Sequence, residues 1–160
     1  MSYPPQVYMG ETGEISAKYR PVSTPPELGR PGKGAYYYLA TTATTRGEFG
    51  LYRVEMTARA GGPKTHFHKS ISESFFILSG TVRLYDGAQW VDARQGDFLH
   101  VPQGGLHAFR NDSDELAEML LLFTPGAPRE EYFEKLPEMG DATDEERAQF
   151  FVKHDSYFVE

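Results

Sequence analysis

The sequence contains no cysteine. Disulfide frameworks and thiolate metal sites are therefore excluded, and any metal must be held by nitrogen and oxygen donors. The same absence fits a reducing, cytoplasmic setting. No apolar run approaches the roughly 20 residues that a membrane-spanning helix needs. The opening Met1-Ser2-Tyr3-Pro4-Pro5 lacks the basic-then-apolar pattern of a signal peptide. Positive charge is scarce: 16 Lys and Arg stand against 23 Asp and Glu, a formal net charge of −7. No basic patch of the kind nucleic-acid binding requires is visible. The acidity is local, since residues 129–160 hold ten acidic side chains against four basic ones. There it reads as a solvated helical face.

Aromatic residues are plentiful, at 14% of 160 residues, which predicts a rigid core and an aromatic-lined pocket in a single globular unit. Residues 1–34 hold six of the eleven prolines, so this stretch is expected to be an extended arm. An arm carrying Tyr3, Val7, Tyr8 and Ile15 can add a strand to another subunit's sheet, which predicts a homodimer.

From residue 35 to 126 the pattern is β. Tyr36 to Thr42 is rich in aromatic and β-branched residues. Residues 49–59 alternate, with Tyr52, Val54, Met56 and Ala58 on one face and Arg53, Glu55, Thr57 and Arg59 on the other. Further strands are predicted near 74–78, 81–85, 89–93, 98–101, 106–110 and 118–123. Asp86-Gly87 signals a hairpin. Helix signals come only in the acidic segment 127–160. Pro128 stands where a first helical residue would be, and Thr143-Asp144-Glu145-Glu146 matches a capping box. Many short strands with turns between them predict an all-β barrel.

Four residues carry metal-ligand chemistry. His66 and His68 are two apart on an extended segment, so both point to one face. Glu73 follows after a turn and opens a strand whose face continues with Phe75 and Ile77. His107 begins a later strand after the turn Pro102–Gly105. Three imidazoles and a carboxylate suit one divalent transition metal: Fe, Mn, Co, Ni, Cu or Zn. Strand parity makes Tyr52, Val54, Met56, Phe75, Ile77, Phe109, Leu120 and Leu122 candidates for the barrel's interior wall. Of these Tyr52, Met56, Phe75 and Phe109 are the expected substrate contacts. His100 is expected to be packed or to support a ligand, and His154 to lie on the surface.

The spacing of these residues resembles the cupin superfamily. Gly61, His66, His68, Glu73 and Gly80 follow its first motif, with the leading glycine one residue nearer the first histidine than usual. Gly96, Pro102, Gly104, His107 and Asn111 follow its second motif at every spacing. The resemblance covers about residues 45–124 and implies a jelly-roll barrel holding a metal on His66, His68, Glu73 and His107. It is similar to the small bacterial cupins likened to quercetin 2,3-dioxygenase. That likeness implies a metal-dependent dioxygenase of an aromatic or enolic small molecule, with Glu73 also acting as catalytic base. A non-redox cyclase, isomerase or lyase, and a non-enzymatic binding barrel, are the alternatives.

Overall fold

The computed structural model describes residues 1–159. The elements in chain order are β1 (Leu28–Gly29), β2 (Ala35–Ala40), α1 (Thr42–Thr45), β3 (Gly50–Met56) and β4 (His66–Phe67). They continue with β5 (Ser72–Ser79), β6 (Thr81–Tyr85), β7 (Trp90–Arg94), β8 (Phe98–Val101), β9 (Ala108–Arg110) and β10 (Ala117–Thr124). Last come α2 (Arg129–Lys135), a 3-10 turn (Leu136–Gly140), α3 (Asp144–Lys153) and β11 (Tyr157–Phe158). One sheet has the order β1-β2-β3-β10-β5-β8, a second β7-β6-β9, and β11 pairs with β4. The fold is mostly β, with the expected short helical segment near the C-terminus.

The core lies between the two larger sheets. Tyr52 and Val54 of β3, Phe75 and Ile77 of β5, and Val82 and Leu84 of β6 are buried there. On β10, however, the interior residues are Met119, Leu121 and Phe123, not Leu120 and Leu122, which are only half-buried. Register explains this. Leu121 lies opposite Tyr52 and Met119 opposite Val54, and directly opposed residues share a face of the sheet. Because 119–123 is apolar throughout, its own sequence shows no alternation.

Two further expectations give way. The strand through Thr42 stops at Ala40, because Thr41 caps the one-turn helix α1. Ala58 is exposed, since β3 has already ended at Met56, and Glu55 is buried where it accepts the Gly34 N–H at 3.1 Å. Gly80 and Gly104 of the two motifs have φ of 71° and 82°, a region closed to most side chains. The Thr143 capping box of α3 is formed.

Residues 1–19 are exposed and lack regular structure, with bends at residues 11, 12 and 15. At the other end, α2 and α3 close over the barrel. Phe133 packs 5.1 Å from Tyr52 and 4.7 Å from Tyr36, centroid to centroid. Among the described residues, no helix is long and apolar enough to cross a membrane.

Candidate metal centre

Backbone pairing places the four expected ligands. His66 lies in β4, and across from it His107 forms an isolated antiparallel bridge. The carbonyl of His68 accepts the Gly104 N–H at 2.7 Å, which ties the two motifs together. Glu73 is the second residue of β5 and pairs with Phe123 on one side and Val101 on the other. Its backbone is thus pinned on both sides. Asn111, the last residue of the second motif, is fully buried and has a structural role. Its side-chain amide faces the carbonyls of Met56, Thr57 and Glu115 at 3.3, 3.0 and 2.8 Å.

All four side chains are buried, and their ligand atoms lie within 4.8 Å of one another. The orientation of each imidazole is fixed. Nδ1 of His66 donates to the Lys64 carbonyl at 2.8 Å, that of His68 to Asp155 at 2.6 Å and that of His107 to Gly105 at 2.9 Å. A carbonyl can only accept, so Nδ1 carries the hydrogen and a neutral ring points its Nε2 lone pair inward. Nε2 of His68 and of His107 then meets Glu73 Oε2 at 3.1 and 2.8 Å. Acceptors so close need a cation between them, either a proton or a metal ion. The donor set fits a divalent transition metal.

Without metal, a proton takes that place. Burial alone would raise the Glu73 carboxyl, but hydrogen bonds from His107 and His68 outweigh it and hold the group far below the usual carboxylate range. Burial likewise opposes the His107 cation, yet the bond to Glu73 prevails and raises its pKa. Burial, reinforced by neighbouring His107, pushes His66 down to about 4.

A cavity of about 880 Å³ reaches this centre at His66 and Glu73. Met56 and Phe109 line it, as expected; Tyr52 and Phe75 do not. The Tyr52 hydroxyl donates to Glu130 at 2.8 Å beneath the helices, and Phe75 packs against Phe109 and His107. Both follow the predicted strand parity, but they lie deeper than the cavity. The remaining walls come from unexpected places: Tyr36 of β2, Arg129, Tyr132 and Phe133 of α2, and Phe151 and Phe158 beyond.

The 127–160 segment does more than solvate one face. Asp155, in left-handed conformation (φ 54°), orients His68 through its carbonyl. Its carboxylate accepts Lys69 N, Ser70 N and Ser70 Oγ at 2.9, 2.8 and 2.7 Å. β11 pairs Phe158 with His66. His154 is buried against Phe150 rather than on the surface, and His100 is exposed, bonded to Ser74 at 2.8 Å. Nothing local signals the roles of Asp155 and Phe158, since each depends on pairing across dozens of residues.

The fold and site together define a double-layered β-barrel with a buried three-histidine, one-glutamate cluster under an aromatic cavity. A family model described as the cupin domain matches residues 52–123. Residues 52–123 carry a cupin domain, and all four residues of the cluster lie within it. Over 100 residues it is 29% identical to quercetin 2,3-dioxygenase of Bacillus subtilis (strain 168), covering 59% of this chain but only 28% of that protein. Among solved structures, the polyketide cyclase RemF from Streptomyces resistomycificus is similar with a TM-score of 0.55 and 18% identity, over 72% of this chain and 82% of that one. A predicted oxalate decarboxylase from Thermotoga maritima gives 0.54 and 19%, over 59% and 82%. At these identities the two structures speak for the fold alone.

Proposed function

We propose that this protein is a metal-dependent dioxygenase of a small aromatic or enolic molecule. The observation that carries the reading is the convergence of three Nδ1-anchored histidines and Glu73 at the end of an aromatic cavity. A closed structural site has no use for such an opening. His66, His68, Glu73 and His107 would hold the ion, which supplies Lewis acidity and one-electron chemistry with dioxygen when bound. The histidines keep their Nε2 lone pairs inward through their carbonyl partners. Glu73 holds or accepts a proton at its carboxylate, the step that turns an enol into an enolate. Phe109, Tyr36 and Phe133 exclude water and orient a flat substrate. The partial match to quercetin 2,3-dioxygenase supports an oxidative reading. The protein is proposed to act as a homodimer.

The test is elemental analysis of the purified protein followed by oxygen uptake with flavonols and related enols. Stoichiometric metal with oxygen consumed per substrate is expected. Turnover without oxygen uptake would replace the reading with non-redox Lewis-acid chemistry. Metal with a tightly held ligand and no turnover would make the barrel a binding protein.

A further inference from the structure

Arg129 is the first residue of α2, a position that normally faces water, yet its side chain turns inward and is 4% exposed. It lines the same cavity as Glu73 and His66. Its guanidinium lies 4.1 Å from the ring centroid of Tyr132 and 5.1 Å from that of Phe123. Nη1 donates to the His154 carbonyl at 2.7 Å, and Nε has no partner. Among the described residues no carboxylate forms an ion pair with it.

That lack is specific, because carboxylates are close at hand along the same helix. Glu130 accepts from the Tyr52 hydroxyl, Glu131 pairs with Lys135 and Lys153, and Glu134 accepts from the Tyr38 hydroxyl. Glu73 shares the cavity but is engaged by His68 and His107. A guanidinium stays charged in any protein environment. Stacking on aromatic faces offsets only part of the cost of burying it. A buried, always-charged group facing a cavity without its own counter-ion is arranged for an anion that arrives with the ligand.

We propose that the ligand of this cavity is an aromatic carboxylate and that Arg129 recognises its carboxyl group. The planar fork of a guanidinium matches the two oxygens of a carboxylate, and Tyr36, Phe109 and Phe133 provide walls for a flat ring. This rests on the reading of the cavity as the substrate site, and it narrows the substrate from enols in general to those bearing a carboxylate.

The test measures binding of 3-hydroxy-2-naphthoate, its carboxamide and 2-naphthol at pH 7.5. Titration calorimetry would be run on the full chain, once as purified and once after chelator treatment. The carboxylate is expected to bind most tightly in both preparations. Arg129→Met should weaken it by roughly 10–150-fold, the loss of a charge-assisted hydrogen bond, while the carboxamide changes little. Arg129→Lys, which keeps the charge but not the fork, should fall between. Should Arg129→Met not fold, the wild-type comparison and Arg129→Lys still decide. Equal binding of carboxylate and carboxamide, binding of none of the three, or a carboxylate preference that survives in folded Arg129→Met would overturn the proposal. So would a preference that vanishes with the metal, since the carboxyl would then be a metal ligand. Absent oxygen uptake with an intact, Arg129-dependent preference would remove the oxygenase reading and leave this one standing.

Discussion

His66 and His107 sit directly opposite one another and exchange both backbone hydrogen bonds, 3.0 Å from the His66 amide and 2.9 Å from the His107 amide. The imidazole centroids are 4.2 Å apart. Two ligands from distant segments are thus joined by main chain before any side chain is considered. The positions of the rings survive replacement of either one.

Replacing a ligand should therefore remove metal without unfolding the barrel. His66→Ala and His107→Ala are expected to lose most of the bound metal while retaining the wild-type far-UV circular dichroism spectrum. Chelation of the wild-type protein should lower Tm, because an ion at ~1,000 times its Kd stabilises the folded state by about 4 kcal/mol. A full equivalent of metal in both variants would refute the ligand assignment.

Glu73→Gln separates holding metal from moving protons. The amide keeps an oxygen donor of similar size but is not a base. We expect much of the metal to remain and turnover of an enolisable substrate to drop by about 100-fold or more. Turnover falling only in proportion to lost metal would leave Glu73 a ligand and nothing else.

The metal-free protein should lose stability as pH falls from 6.5 towards 4. His66 titrates near 4 when folded and near 6.5 when unfolded, so over that window the unfolded chain binds the extra proton. Its contribution is complete above 6.5 and is lost as pH falls, on the order of 3 kcal/mol. Glu73, whose pKa is also lowered by folding, acts with the same sign but only below its ordinary 4.5. His107 acts with the opposite sign: its raised pKa stabilises the fold at low pH, and that contribution fades as pH rises through the folded value. Denaturant melts of wild type and His66→Asn across pH 4–7 test this; a slope unchanged in the variant would discard the assignment.

Asp155→Ala deletes three hydrogen bonds to the 69–70 turn. A loss of about 1.5–3 kcal/mol is expected, since the acceptor is charged, together with faster metal release from a less firmly held His68. Asp155→Asn should recover part of both. Wild-type metal release from Asp155→Ala would show that the turn holds His68 without it.

The arm offers a test of assembly. Light scattering at micromolar concentration should give a dimer mass, and deletion of residues 2–18, all exposed in the single chain, should weaken the dimer. A monomer at the outset, or assembly unchanged by the deletion, would contradict the proposal.

The ligands were legible because each of their two motifs is short, although only the pairing of His66 with His107 brings the motifs together. A period of two aligns His66 with His68, and local turns deliver Glu73 and His107. The inward set of β10 was not legible, because Met119 to Phe123 is apolar at every position and only pairing with Tyr52 and Val54 selects a face. Tyr52 and Phe75 lie on the face that strand parity predicts, but depth along that face depends on how the rest of the chain packs over it. Arg129 and Asp155 left no trace: one reads as a helix-start arginine, the other as one more acid in an acidic segment.

The Asp155 carbonyl that orients His68 belongs to a residue 87 positions later in the chain. At a synthesis rate of ~5–20 residues per second, roughly 4–17 s separate the emergence of the two. Throughout that interval the His68 imidazole lacks its partner and is free to present either nitrogen. A nascent polypeptide that has not yet reached Asp155 therefore lacks the contact that fixes the His68 ring in the finished one.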